Sequence, residues 1–233
     1  KYVKGETLSE LLSRRRDPAE DRRRFLGIFE QICHTVAYAH ARRMACEQDL
    51  YFIHPFDDPL IMAGQGTVAL EIVETLPDVD RVIIPVGGGG VIAGMAVALR
   101  ARRPGVRITG VQAAVCPSAV AAIQKGAIVE IPGATSIADG IAVRQTGTAP
   151  FEIIRDQVDN VVTVEEEHIA AAILLLMERK KIVAEGAGAV ALAALMSRAV
   201  QLHPGEKTVL LISGGNLDSP LLGKIISKGL SKS

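Results

Sequence analysis

Arg81-Val82-Ile83-Ile84-Pro85-Val86-Gly87-Gly88-Gly89-Gly90, continued by the Ala-rich stretch Val91 to Arg103, is the part of the chain from which its fold class can be read. The β-branched run predicts a buried strand, the glycines a tight turn, and Val91 to Arg103 a helix. A glycine turn between strand and helix brings several backbone N–H groups to one point, and the helix adds its positive N-terminal end. Such a cup suits a phosphate. A plain tight turn is the alternative, but four consecutive glycines carry an entropic cost that a turn alone does not demand.

No Gly-Lys-Ser/Thr follows the glycines, so a nucleoside-triphosphate loop is excluded. Gly88, Gly90 and Ala93 have the G-x-G-x-x-A spacing of a dinucleotide loop, yet the next strand ends at Gln112, where an acid for the ribose would be expected. Similar apolar runs at Val106 to Gln112, Asn160 to Val164 and Thr208 to Ile212 alternate with helical patterns at Thr67 to Thr75, Ile92 to Arg103, Glu165 to Lys180 and Gly188 to Ala199. This alternation predicts an α/β fold: a mostly parallel open sheet with helices on both faces.

The α/β texture begins near residue 51, which divides the chain into a helical N-terminal appendage (1–50) and an α/β domain (51–233). In the appendage, Thr7 and Glu10 form a capping-box pattern, and Asp17, Pro18 and Glu20 start a second helix. Residues 1–44 resemble a fragment of a bacterial protein-kinase catalytic domain, through Tyr2 to Leu12 and Phe29 to Arg43. Neither the His-Arg-Asp of a kinase catalytic loop nor an Asp-Phe-Gly occurs, so the segment reads as an appendage and not as a kinase. A pair of helices that merely shares the pattern is the alternative.

Lys plus Arg and Asp plus Glu each number 26, so no global field draws the chain toward nucleic acid or an anionic membrane. A small-molecule partner is expected. Cys33, Cys46 and Cys116 have neither paired spacing nor neighbouring histidines, which argues against a disulfide framework or a metal site and for a cytoplasmic setting. The uncharged runs Ile169 to Met177 and Gly186 to Met196 are about half of the roughly 20 residues that a membrane helix needs. The chain begins at Lys1 without a signal-peptide pattern, as a processed or truncated piece would.

Five motifs occur in order: His54-Pro55-Phe56-Asp57-Asp58-Pro59 with Ala63-Gly64-Gln65-Gly66-Thr67, the tetraglycine, Ile137 to Val143, Val183 to Ala189, and Ser213-Gly214-Gly215-Asn216. In this order they resemble the C-terminal half of the pyridoxal-phosphate-dependent threonine and serine dehydratases and serine racemases, a partial tryptophan-synthase-β-like fold. The resemblance implies that Gly87, Gly88, Gly89 and Gly90 hold the phosphate of pyridoxal phosphate and that Ser213 lies against its pyridine nitrogen. Ser213 follows an apolar strand, so its hydroxyl would emerge where open α/β sheets bind ligands; capping a turn is its plain alternative. Glu185 is either a substrate-side acid or a carboxylate at the start of the following helix. His54 and Asp139 read as structural, and Gln112 and Ser118 stand where some relatives place metal-binding acids, so no metal is assigned.

The implied activity is elimination from L-threonine or L-serine, giving a 2-oxo acid and ammonia. The resemblance also implies a Ser-Phe-Lys-x-Arg-Gly-Ala segment carrying the lysine that bonds the cofactor and a Ser-Ser-Gly-Asn-His segment that clamps substrate; neither occurs within these 233 residues. A catalytically inactive remnant that binds the cofactor or another phosphate therefore stands as the second reading. Lys180 and Lys181, in a charged helix end, read as solvated. A sheet lacking half its usual neighbours would expose edges and apolar surface, which predicts a homo-oligomer.

Overall fold

The computed structural model describes residues 40–230, and the helices expected from Thr7 and Asp17 lie outside them. The chain divides into two compact units, Lys1–Phe52 and Ile53–Ser233. In the first, residues 40–47 are helical.

The second unit contains α1 (Pro59–Thr75), β1 (Arg81–Pro85), α2 (Gly90–Arg102), β2 (Arg107–Ala113), α3 (Ser118–Lys125), α4 (Thr148–Gln157), β3 (Asn160–Val164), α5 (Glu166–Leu175), α6 (Gly186–Met196), β4 (Thr208–Leu210) and α7 (Ser219–Leu230). The four strands are parallel in the order β3-β2-β1-β4. Every residue of β1 is buried, as a continuous apolar run flanked by two strands requires. Its alternation splits the core. Ile83 packs with Ile169, Ile173, Val190 and Ile225 from α5, α6 and α7, whereas Val82 and Ile84 pack with Ala69, Ile92, Met95 and Ile154 from α1, α2 and α4. Helices thus cover both faces.

The expected strands are present, β1 ending one residue early and β4 two. α3, α4 and α7 are absent from the sequence reading, and for the first two the reason is visible. The Gln112 side-chain carbonyl, fully buried, accepts from the N–H groups of Ala119 and Val120 at 2.9 and 3.1 Å and so starts α3. The Asp57 carboxylate accepts from Thr148 and Ala149 at 2.8 and 3.0 Å and starts α4 from 91 residues upstream. Caps supplied across the fold leave no local signature. The run Glu165 to Lys180 is not one helix: the α-helical part ends at Leu175, and Leu176–Lys180 forms a π-helical turn closed by Lys181 in the left-handed region (φ 60°).

Candidate cofactor-phosphate site

After β1 the chain adds β2 and β3 on one side and then crosses to place β4 on the other, so the strand order reverses between β1 and β4. Open α/β sheets bind ligands outside the C-terminal ends of strands at such a reversal. Ile83 pairs with Leu210, and both Gly87–Gly90 and Ser213 lie just beyond that end.

The glycine loop is shaped by its neighbours more than the sequence suggests. Gly89 has φ of 100° and caps α2, a conformation that side chains oppose. A Cβ on Gly88 would strike the Phe56 ring, one on Gly90 would lie 2.9 Å from the Phe56 carbonyl oxygen, and one on Gly87 would lie 3.1 Å from Ile141 Cα. Packing alone therefore accounts for all four glycines, which corrects the argument that only a ligand would justify their entropic cost. The sign of a ligand lies elsewhere. Gly88, Gly89 and Gly90 are buried, yet no N–H group of Gly87 to Gly90 finds an acceptor among the described residues. The buried Thr146 hydroxyl beside Gly89 likewise lacks a partner there. Buried donors are rarely left so, and their place at a helix N-terminus suits an anion.

Phe56 is a site residue that sequence reading missed, although its motif was visible. His54 Nδ1 accepts from the Asp57 N–H at 2.9 Å, and the His54 and Phe56 rings meet edge to face at 4.6 Å between centroids. Asp58 caps α1 through Leu60 and Ile61, while Asp57 caps α4. The turn is thereby pinned to two helices, and Phe56 is held over Gly88 and Gly90. Gly147 donates to the Gly88 carbonyl at 2.9 Å, tying the start of α4 to the same loop.

Glu185 is the N-cap residue of α6, but its side chain makes no cap bond; its carboxylate turns to the 214–216 turn and accepts the Asn216 N–H at 3.1 Å. A Cβ on Gly186 would overlap the Ile137 carbonyl, and one on Gly188 the Ser213 carbonyl. A Cβ on Gly140 would come within 3.6 Å of Glu185 Oε1. The later motifs therefore form one wall: Asp139–Ile141, a 3₁₀ turn, against Gly87; Gly186 against Ile137; Gly188 against Ser213. The half-buried Ser213 hydroxyl makes no hydrogen bond among the described residues.

Gln112 and Ser118 are spent structurally: Gln112 Nε2 donates to the Val86 carbonyl and to Ser118 Oγ, both at 3.3 Å. Asp139 accepts from the Gly140 N–H. Lys180 and Lys181 are exposed, and Lys181 donates to the Glu178 carbonyl. No helix among the described residues is long and apolar enough to cross a membrane.

The model of the family described as pyridoxal-phosphate dependent enzyme matches residues 30–214. The chain belongs to that family. This pyridoxal-phosphate enzyme domain is 53% identical over 194 residues to an L-threonine ammonia-lyase of Geobacter sulfurreducens, covering 83% of this chain and 48% of the relative. Its fold matches a threonine deaminase of Solanum lycopersicum, isoform 2 in its processed form, with TM-score 0.75 at 33% identity, covering 81% of this chain and 55% of that one. It matches maize serine racemase with TM-score 0.74 at 32% identity, covering 81% and 59%. The chain spans about half the length of the curated relatives it matches. The kinase resemblance of residues 1–44 is not borne out: the family model begins at residue 30, inside that segment.

The residues present fit the phosphate end of the cofactor. At the strand-order reversal the N–H groups of the buried Gly88, Gly89 and Gly90 have no acceptor among the described residues, and the Ser213 hydroxyl at the end of the neighbouring strand likewise has no partner among them.

Proposed function

We propose that this chain contributes the phosphate-binding part of a pyridoxal-phosphate-dependent threonine or serine dehydratase, which converts L-threonine or L-serine to a 2-oxo acid and ammonia. The observation that carries the reading is that the N–H groups of the buried Gly88 to Gly90 have no acceptor among the described residues, and relatives named for this activity support it. When bound, the cofactor supplies an electron sink that acidifies the α-carbon of an amino acid.

The chain's own residues bind and orient. Gly87 to Gly90 would donate N–H groups to phosphate oxygens, and the α2 N-terminus would stabilise their charge. The neutral Ser213 hydroxyl would meet the ring nitrogen without protonating it, which moderates the sink. Glu185 holds the Ser213–Asn216 turn in place, and Phe56 shields the loop from water. Moving the α-proton needs a base that these residues do not provide; in this reading it comes from a segment of the Ser-Phe-Lys-x-Arg-Gly-Ala type. The second reading is a binding domain without chemistry of its own.

The visible spectrum of the protein with pyridoxal phosphate, followed by a dehydratase assay after mixing in the N-terminal half of a relative, separates the two. Cofactor binding with activity on mixing is the expected result. Binding without activity supports the second reading, and no binding at millimolar cofactor overturns both. We further propose that the chain self-associates. Every residue of the edge strand β4 is only half-buried, whereas β1 is buried throughout, and open edges invite pairing. Light scattering at micromolar concentration is expected to give at least a dimer mass, and a strictly monomeric species would count against it.

A further inference from the structure

Glu166 lies in the first turn of α5, and the sequence reading gave it no role. Its carboxylate leaves the helix. Oε1 accepts from the Ser136 hydroxyl at 2.6 Å and Oε2 from the Ile137 N–H at 2.7 Å. Ser136 Oγ in turn accepts from the Ala138 N–H at 2.9 Å. These bonds, two of them to a charged acceptor, fix the start of the segment that runs into the Asp139–Ile141 turn. That turn walls the glycine loop at Gly87, and the Ile137 carbonyl packs on Gly186 beside Glu185. The segment then continues to Gly147, whose N–H bonds the Gly88 carbonyl.

We propose that Glu166 is a positioning residue of the phosphate cradle: through Ser136 and Ile137 it latches the Asp139–Ile141 turn against the tetraglycine loop. It touches neither the loop nor a ligand itself. The inference rests on the phosphate reading above, since it names what keeps that cradle in shape. A side chain reaching 29 and 30 residues back along the chain to two donors does not serve its own helix, for which a first-turn acid needs no such contact. Holding the unpaired glycine N–H groups in place before an anion arrives lowers the ordering cost of binding it.

Two variants test this, Glu166→Ala and Ser136→Ala, each read by amide hydrogen exchange and by pyridoxal phosphate titration. Glu166→Ala is expected to speed exchange about tenfold or more at Ile141, Ala142 and Val143, and also at Gly147 and Ala93, whose acceptors are the Gly88 and Gly89 carbonyls. The β1 and β2 amides should be unchanged, and cofactor affinity should fall about tenfold. Ser136→Ala keeps the Ile137 bond and is expected to give a smaller change in the same places. Exchange that rises evenly through the sheet, or only within α5, overturns the proposal, because Glu166 would then matter to stability alone. Unchanged affinity in a variant whose turn has loosened also overturns it. If the unmodified protein binds no pyridoxal phosphate, the phosphate reading falls, while exchange at Gly147 and Ala93 still decides whether the latch reaches the loop.

Discussion

Gly188→Ala is expected to lower stability by about 3 kcal/mol or more, and to weaken cofactor binding in whatever fraction still folds. The new Cβ would overlap the Ser213 carbonyl oxygen, with the Gly214 carbonyl oxygen 3.1 Å away. Both obstacles are main chain, which cannot rotate aside, so either the first turn of α6 or the end of the β4 segment must move. α6 is buried along most of its length, so the displacement falls on Ser213. For a domain of this size the loss corresponds to roughly 6–12 °C in Tm. Gly64→Ala is the control. It lies on the exposed side of α1 with nothing within 4 Å of the new methyl, and alanine should there add about 0.5–1 kcal/mol. Thermal melts of both variants, with pyridoxal phosphate titrations, check the pair; equal Tm values would refute the packing argument.

The second large effect lies at the opposite end of the sheet. Glu206 Oε1 accepts from Arg81 Nε at 2.6 Å and from Arg107 Nη2 at 2.7 Å, and Oε2 accepts from the His203 N–H at 2.9 Å. Arg81 also donates to Thr109. One carboxylate thus ties the starts of β1 and β2 to the loop before β4. Burial pushes its carboxyl up, but the His203 N–H and the two guanidinium groups outweigh that and hold it below the ordinary glutamate value of 4.5. A group depressed in the folded state stabilises above its unfolded pKa and loses that contribution as pH falls through its folded value. Stability should therefore drop below about pH 4.5, and Glu206→Gln should flatten that part of the curve. Glu206→Ala is expected to cost about 3 kcal/mol at pH 7, because Arg81 would stay buried without its partner. Denaturant midpoints from pH 3 to pH 7 test both; a mutant curve parallel to the parent's would sink the assignment.

Much of the fold was legible because its signals are local. Val82, Ile83 and Ile84 cannot be exposed and must sit in a central strand, and the glycines that follow cannot continue it. The site was legible in part. Gly87 to Gly90, Glu185 and Ser213 were named from motifs, and the structure brings them to the same end of β1 and β4, with Glu185 turned to the loop and not to its helix. Phe56 and Asp57 were seen only as part of a motif and given no role, and Thr146 and Glu166 were not named. Asp57 and Glu166 act on backbone groups far along the chain, Thr146 is informative only through its missing partner, and Phe56 matters only because it covers Gly88.

The sequence by itself determined the α/β class, the parallel sheet and the glycine turn after β1, because hydrophobic period and glycine placement are written residue by residue. Only the tertiary structure decided why each glycine is required, where the caps of α3 and α4 come from, and that the strand order reverses between β1 and β4. Those are contacts between segments distant in the chain, and their energies depend on distances that no local pattern encodes.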